Sequence, residues 1–368
     1  MRLLNGITIL ITLFMPPTAA AQLCQGSLGD PMVNITFGSG PNPGNALTAA
    51  TTAYQFVTTD CPDDGYYTVR NKTSTCFNAS WQNVDEDHTG DANGFFMLVN
   101  ASIQPSAFYL DTVKGLCSNT TFEFAAWIMN VMLSSACGAG GIQPNLTFTI
   151  EKTDGTLLQT YNTNNISTDQ TPVWKQFGFF FVTPPGITDV VLRIFNNAKG
   201  GCGNDLALDD ITFRPCGPRL TSSFNTGIYN IDTLCQGTGK TYTFNCAVSA
   251  GFNNPVFQWQ QSSNGSQWVD IPGATTVSYA KQFTPAAALG MYYYRMTAAE
   301  AGNIASSKCR VSSNPLIVNI APIPEISFSH NSPVCEQDIF KIEYAGRGDW
   351  YSVSAQGPGG SFSSCCGV

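Results

Sequence analysis

The chain is poor in charge, in histidine and in helical periodicity. Only 11% of its 368 residues are charged, and 25 acidic against 17 basic side chains give a net charge of −8. That excludes the basic footprint needed on nucleic acid, and scattered Lys and Arg do not favour an anionic membrane surface. Two histidines, His88 and His330, stand far apart and no C-x-x-C spacing occurs, which argues against zinc. No stretch places apolar residues at i, i+3, i+4 and i+7, so a helical bundle is excluded. Beyond the first residues, no apolar run is long enough to span a membrane.

What is present is a core-forming, exported composition. Hydrophobic residues make up 43% and aromatics 12%, ample for packed cores. Met1-Arg2, the apolar run Leu3 to Phe14 and Ala19-Ala20-Ala21 before Gln22 have the grammar of a secretory signal peptide over 1–21. A lipid anchor on Cys24 competes with release, but Leu23 stands where a small residue is expected. The chain is therefore expected to be secreted, extracellular or at a cell surface, with no transmembrane segment after cleavage. Thirteen cysteines then read as disulfides, with an odd thiol left over.

Short runs rich in β-branched and aromatic residues recur between turn formers. Examples are Gly94-Phe95-Phe96-Met97-Leu98-Val99, Thr121 to Ile128, Leu146 to Glu151, Trp174 to Val182 and Val190 to Phe195. Many short strands at regular spacing predict an all-β chain of sandwiches or barrels. We expect a β-sandwich or barrel over 22–217 and an immunoglobulin-like β-sandwich over 218–320. In the second, Trp259 precedes Gly290-Met291-Tyr292-Tyr293-Tyr294, the pattern of a strand-borne core tryptophan. Cys246 stands where a bridging cysteine belongs, but Tyr294 occupies its partner's place, so Cys246 is expected to be a buried thiol. After the linker Ala321-Pro322-Ile323-Pro324, residues 321–368 are too few to close a further sandwich. They read as an incomplete immunoglobulin-like repeat, poorly ordered, whose last residues from Ser363 finish no strand. Such an end suggests a gene fragment or a shifted reading frame.

Cys61 with Cys76 and Cys137 with Cys202 are expected pairs, leaving Cys117 free. Cys235 and Cys309, near the two ends of the second module, form another expected pair.

The densest polar cluster is Asp85-Glu86-Asp87-His88-Thr89-Gly90-Asp91. It lacks EF-hand spacing. Asp209-Asp210 stand inside the apolar strand Leu206 to Phe213, and a half-buried carboxylate there needs a cation, a lysine or a turn amide. A solvated loop and a hydrogen-bonded strand aspartate would serve equally.

Trp81, Asp87-His88-Thr89, Gly94-Phe95-Phe96-Met97 and Ala207-Leu208-Asp209-Asp210-Ile211 with Cys216 beyond resemble the pattern of MAM adhesion domains. Those are jelly-roll β-sandwiches related in shape to carbohydrate-binding modules, so the resemblance implies a jelly roll over 22–217. A jelly roll sets its first and last strands side by side, so Cys24 is then expected to pair with Cys216. The wider match, including Pro144 to Phe148, Trp174 to Gly178 and Gly203 to Leu206, resembles the leading domain of surface adhesins of gliding bacteria, which continue into immunoglobulin-like or PKD-like repeats. The C-terminal sorting domain of that group is missing, which puts surface attachment in question. The resemblance implies a structural Ca²⁺ at Asp87 and Asp209, with Asp30 or Asp210 contributing, and glycan binding on Trp127, Tyr109 or Trp174. An aromatic in a strand is otherwise a core residue. The implied partner is an extracellular polysaccharide or surface glycoprotein, and the implied role is non-catalytic adhesion, associated with gliding motility. A purely structural stalk, or an accessory carbohydrate-binding module of a polysaccharide-degrading enzyme, are the alternatives. No enzyme is expected: His88 has no nucleophile motif beside it, and Glu123, Glu151 and Asp209 are the only strand-borne candidate carboxylates.

Overall fold

The computed structural model describes residues 23–323 apart from 226 and 228, with the backbone of 326–330, 342–346, 350–357 and 360–367. The signal peptide expected over 1–21 lies outside the described residues. The chain is built of strands, as the period-2 alternation requires. None of the helices among the described residues is long and apolar enough to cross a membrane.

The first twelve strands are β1 (Ser27–Leu28), β2 (Val33–Ile35), β3 (Gln55–Phe56), β4 (Tyr66–Arg70), β5 (Phe96–Val99), β6 (Ser106–Lys114), β7 (Thr121–Asn130), β8 (Asn145–Glu151), β9 (Leu157–Asn165), β10 (Lys175–Val182), β11 (Asp189–Asn196) and β12 (Leu206–Gly217). The larger sheet runs β10-β7-β12-β5-β4-β3, with β1 and β2 also pairing β12, and the smaller runs β6-β11-β8-β9. On β8, Leu146, Phe148 and Ile150 are buried while Asn145, Thr147 and Thr149 between them are half-buried. On β11, Val190, Leu192 and Ile194 do the same. These side chains meet Phe124, Ile128, Leu208 and Phe213 of the larger sheet in one core between the sheets. Burial of each large side chain stabilises by about 1.5–3 kcal/mol before conformational entropy is set against it.

The larger sheet buries part of its opposite face as well. Phe96 and Leu98 of β5, Met129 of β7 and Ala207 of β12 point away from the main core into a second cluster with Trp81 and Val84. Those two arrive on the segment between β4 and β5, whose base is stapled by Cys61–Cys76. Trp81 donates its indole Nε1–H to buried Asp205 Oδ2 at 3.0 Å, and so ties the segment to the start of β12.

The later strands are β13 (Leu220–Phe224), β14 (Ile231–Cys235), β15 (Lys240–Val248), β16 (Pro255–Ser262), β17 (Val269–Asp270), β18 (Ser278–Phe283), β19 (Gly290–Glu300), β20 (Val311–Ser312) and β21 (Leu316–Ala321). They form the sheets β13-β15-β18 and β14-β21-β19-β16-β17, with β20 on β19. By compactness the chain divides into two units. One joins the chain up to Thr221 with Ala247–Gln258 and Thr297–Ser313; the other takes Ser222–Cys246, Trp259–Met296 and the chain from Asn314 onward. Residues 218–221, 247–258 and 297–313, read from sequence as part of the second module, therefore pack in the first unit. In the second unit Trp259 is fully buried beside Phe244, Tyr279 and Tyr294, and Cys246 is buried as well.

Backbone pairing continues in β22 (Ile326–His330) with β23 (Ile342–Gly346), and in β24 (Trp350–Gly357) with β25 (Gly360–Gly367). The expectation that the last residues finish no strand is thereby corrected: they are the second arm of a hairpin.

Three of the expected disulfides form: Cys24–Cys216, Cys61–Cys76 and Cys137–Cys202. The first follows from β1 lying antiparallel to the end of β12, with Leu28 opposite Cys216. The fourth expectation fails. Cys309 pairs with Cys117, whose Cα lies 6.0 Å away, and Cys235 is an exposed free thiol. The reason is packing. Within the first unit Asn303 donates to Ser118 O and Lys308 Nζ to Lys114 O, both at 3.0 Å, which brings Cys309 over Cys117. Cys309→Ser is expected to cost about 2–4 kcal/mol and to make Cys117 alkylatable under native conditions. Alkylation of Cys117 in the unmodified chain would overturn the pairing.

Candidate ligand-binding face

The register between β12 and β7 slips between Asp209 and Thr212, a bulge that sets Asp210 at φ +40. A bulge re-aims side chains and is common beside binding sites. Here it turns two consecutive carboxylates toward the outer face of the larger sheet. Asp209 Oδ2 accepts the His88 backbone N–H at 3.2 Å and lies 3.1 Å from His88 Nδ1, while Oδ1 accepts the Asp210 N–H at 2.8 Å. Asp210 Oδ2 is 3.4 Å from the same imidazole nitrogen. Burial pushes the Asp209 carboxyl up to about 6, with Asp210 adding to the rise and the hydrogen bonds from His88 opposing it. Burial raises Asp210 too; His88 and Arg214 oppose this and nearby Asp87 adds to it. The imidazole stacks on Trp127, centroids 4.7 Å apart and planes 23° from parallel.

Asp87 itself is committed to its loop. Its Oδ1 accepts Thr89 N, Thr89 Oγ1 and Asp91 N at 2.8, 2.6 and 3.0 Å. Gly94 must be glycine, because a Cβ there would lie 1.9 Å from Asp87 Oδ2. Asp30 is exposed between β1 and β2 and is not part of the group in which His88, Asp209 and Asp210 bring ligand atoms within 4.8 Å of one another. Of the residues expected to hold Ca²⁺, Asp209 and Asp210 come together, while Asp87 and Asp30 are not in that group. The donors that converge are one imidazole and two carboxylates, which do not fit a cation that takes six to eight oxygens. Buried Asp209 already has protein donors on both oxygens.

Around this clasp the outer face is laid out in rows by the strand register. Trp127 stands between Gln176 of β10 and Asp209 of β12; Ala125 lies between Gly178 and Thr212; Glu123 lies between Phe180 and Arg214. The middle row is small and buried, and Gly178 is tight enough that a Cβ would sit 2.6 Å from Phe124 O. The flanking Trp127, Gln176, Phe180 and Arg214 are half-buried, so the middle row is the floor of a depression. Glu123 Oε2 accepts the Cys24 N–H at 2.6 Å, and its other oxygen is 3.7 Å from Arg214 Nε, too far for a hydrogen bond. Arg214 Nε and Thr212 Oγ1 are buried and have no hydrogen-bond partner.

Of the three expected aromatic platforms, only Trp127 borders the depression. Tyr109 is fully buried in the main core, where burial raises its phenol and the nearby Asp111 carboxylate adds to the rise. It is corrected to a core residue: the register of β6 with β11 shifts by one residue beside it, and adjacent Phe108 and Tyr109 are both buried in that core. Trp174, two residues before Gln176, lies farther along the same outer face and packs edge-on to Phe96, centroids 5.5 Å apart, against the second cluster. Sequence reasoning missed His88, Thr212 and Arg214. The only signal for His88 was its place between Asp87 and Thr89 in the acidic loop.

Residues 225–322 match a family model described as a domain of unknown function, DUF8696. No curated protein matches the chain. Among solved structures, the enzymatically active domain of bacteriophage CBA120 tailspike protein 4 is 14% identical, with a TM-score of 0.28, over 45% of this chain and 19% of that one. A sugar-binding EclA C-terminal domain is 14% identical over 32% of this chain and 81% of its own, with a TM-score of 0.22. A CBM4 structure is 14% identical over 33% and 74%, with a TM-score of 0.23. At these scores the likenesses support no inference about what this chain does.

Proposed function

We propose that the chain is a secreted, non-catalytic glycan-binding protein serving adhesion, and that its ligand lies in the depression between Trp127 and Phe180. The carrying observation is the pair of buried groups without partners, Thr212 Oγ1 and Arg214 Nε, beside a half-buried indole. A buried unsatisfied polar group costs about 1–3 kcal/mol, a cost that a ligand hydroxyl removes. Ring faces and hydroxyl-matched polar atoms are what a saccharide needs. Four disulfides suit an oxidising, extracellular compartment. The immunoglobulin-like module serves as a spacer. The tie to gliding motility comes from the wider resemblance to the surface adhesins of gliding bacteria.

The absence of catalysis is part of the proposal. Glu123 and Asp209 share the outer face, but Glu123 is four residues along β7 from Trp127, the residue opposite Asp209. At about 3.3 Å per residue this separates them by roughly 13 Å, beyond the ~5–9.5 Å between paired glycosidase carboxylates.

Two substitutions test the site in affinity electrophoresis against soluble polysaccharides. Trp127→Ala is expected to lower affinity at least about tenfold by removing the stacking face. Thr212→Val is expected to weaken binding while leaving the melting temperature unchanged or raised, since it deletes an unsatisfied hydroxyl. A structural stalk gives no retardation in any gel, which would sink this reading.

A Ca²⁺ ion is proposed only as a competitor for Asp209 and Asp210 once the imidazole is removed. His88→Ala is expected to destabilise by about 1–3 kcal/mol, and added Ca²⁺ to restore part of the loss by binding the folded state alone. A melting curve of the variant indifferent to Ca²⁺ and chelator rules the ion out.

A further inference from the structure

A cleft of about 670 Å³ is lined by residues that all belong to the first unit. Its rings are Phe180 and Phe252, and its polar groups include Asn119, Arg219, Asn253 and Glu300. Arg219 is exposed and donates from Nη2 to Gln25 O at 3.1 Å. Glu300 accepts the Asn253 and Asn254 N–H groups at 2.6 and 2.9 Å, which holds the loop carrying Phe252. The walls are rigid. Cys216 and Cys309, each from a different disulfide, line it, and a Cβ on lining Gly26 would fall 1.8 Å from Gly217 O.

One cation, one anion already hydrogen-bonded, the three amide side chains of Gln25, Asn119 and Asn253, and two aromatic rings make a site for an uncharged, hydroxyl-bearing ring. A free anion would meet Glu300, and a cation would meet Arg219. The cleft also lies in line with the depression: Thr121 and Phe180 line it, and Thr121 is six residues before Trp127 on β7. Along a strand that is a separation of about 20 Å.

We propose that this cleft is a second saccharide subsite, so that the ligand is an extended polysaccharide chain held at the cleft and at Trp127, not a terminal sugar. This rests on the glycan-binding reading above. A chain long enough to reach both sites gains from effective concentration, whereas a short one occupies either site alone.

The test uses the whole secreted chain. Affinity gels cast with xylan, laminarin, galactomannan or pectin identify the polymer that retards it. Oligosaccharides of two to eight units from that polymer are then titrated calorimetrically. Affinity is expected to rise at least tenfold once the oligomer spans both sites. Phe252→Ala and Arg219→Ala should abolish that rise while leaving the affinity for the dimer intact. Because Arg219 is exposed, its variant should keep the parent's melting temperature, and it decides the matter if Phe252→Ala unfolds. An octamer that binds both variants as it binds the parent, with Trp127→Ala still abolishing binding, overturns the second subsite and leaves the first. No retardation in any gel, or retardation indifferent to Trp127→Ala, overturns the glycan reading and this inference with it.

Discussion

Trp259→Ala is expected to cost about 3–5 kcal/mol, the range for deleting a large buried side chain and leaving a cavity. Trp259 is fully buried, with ring centroids 6.0 Å from Phe244 and 6.2 Å from Tyr279. Its indole N–H also donates to Thr276 O at 2.9 Å. The substitution therefore removes ring contacts from its neighbours and leaves a carbonyl without its donor. For a module of this size, each kcal/mol moves the melting temperature by roughly 4–8 °C, so the transition assigned to the second unit should fall by about 15 °C or more. Trp259→Phe should lose less, since most of the volume stays while the hydrogen bond goes. A melting temperature untouched by the alanine variant would show that the core lies elsewhere.

The second large effect is a pH dependence set by Asp205. Burial pushes this carboxyl up to about 7; the hydrogen bonds from Trp81 and Ala101 oppose the rise, and the Asp64 charge adds to it. In the unfolded chain the group titrates near its ordinary value of 3.8. Between these values the folded chain holds the proton and the unfolded chain does not. Stability from this group is thus full below about pH 4, falls as pH rises toward 7, and is flat above. Each tenfold difference in proton affinity between the two states is worth about 1.36 kcal/mol, so the span is on the order of 4 kcal/mol. Asp209 and Asp210 titrate in part of the same window, so the measurement is a difference. Urea unfolding of the parent and of Asp205→Asn is followed from pH 4 to pH 8. The asparagine keeps an acceptor for the indole, so the variant should lack this component of the slope and gain relative stability at pH 8. Parallel profiles for the two proteins would mean that Asp205 is ionised in the folded state throughout.

Much of this protein was legible in order along the chain. Alternation in Leu146-Thr147-Phe148-Thr149-Ile150 can bury one face only as a strand, whatever surrounds it. The all-β class follows from local sterics and periodicity. The burial of Trp259 follows from the pattern of a strand-borne tryptophan ahead of Gly290-Met291-Tyr292-Tyr293-Tyr294. The Cys24–Cys216 bridge follows from the adjacency of first and last strands. Tertiary structure decided what depends on contacts between distant segments. Cys309 meets Cys117 because the packing of residues 297–313 places it there, although 192 residues separate the two thiols. His88, and not Asp87 or Asp30, reaches Asp209 because Asp87 turns its carboxylate onto its own loop and a one-residue slip aims Asp210 at the same imidazole. Tyr109 is core and Trp127 half-buried although both are strand aromatics. Which face of a sheet is covered depends on register, and register is fixed only when the strands pair.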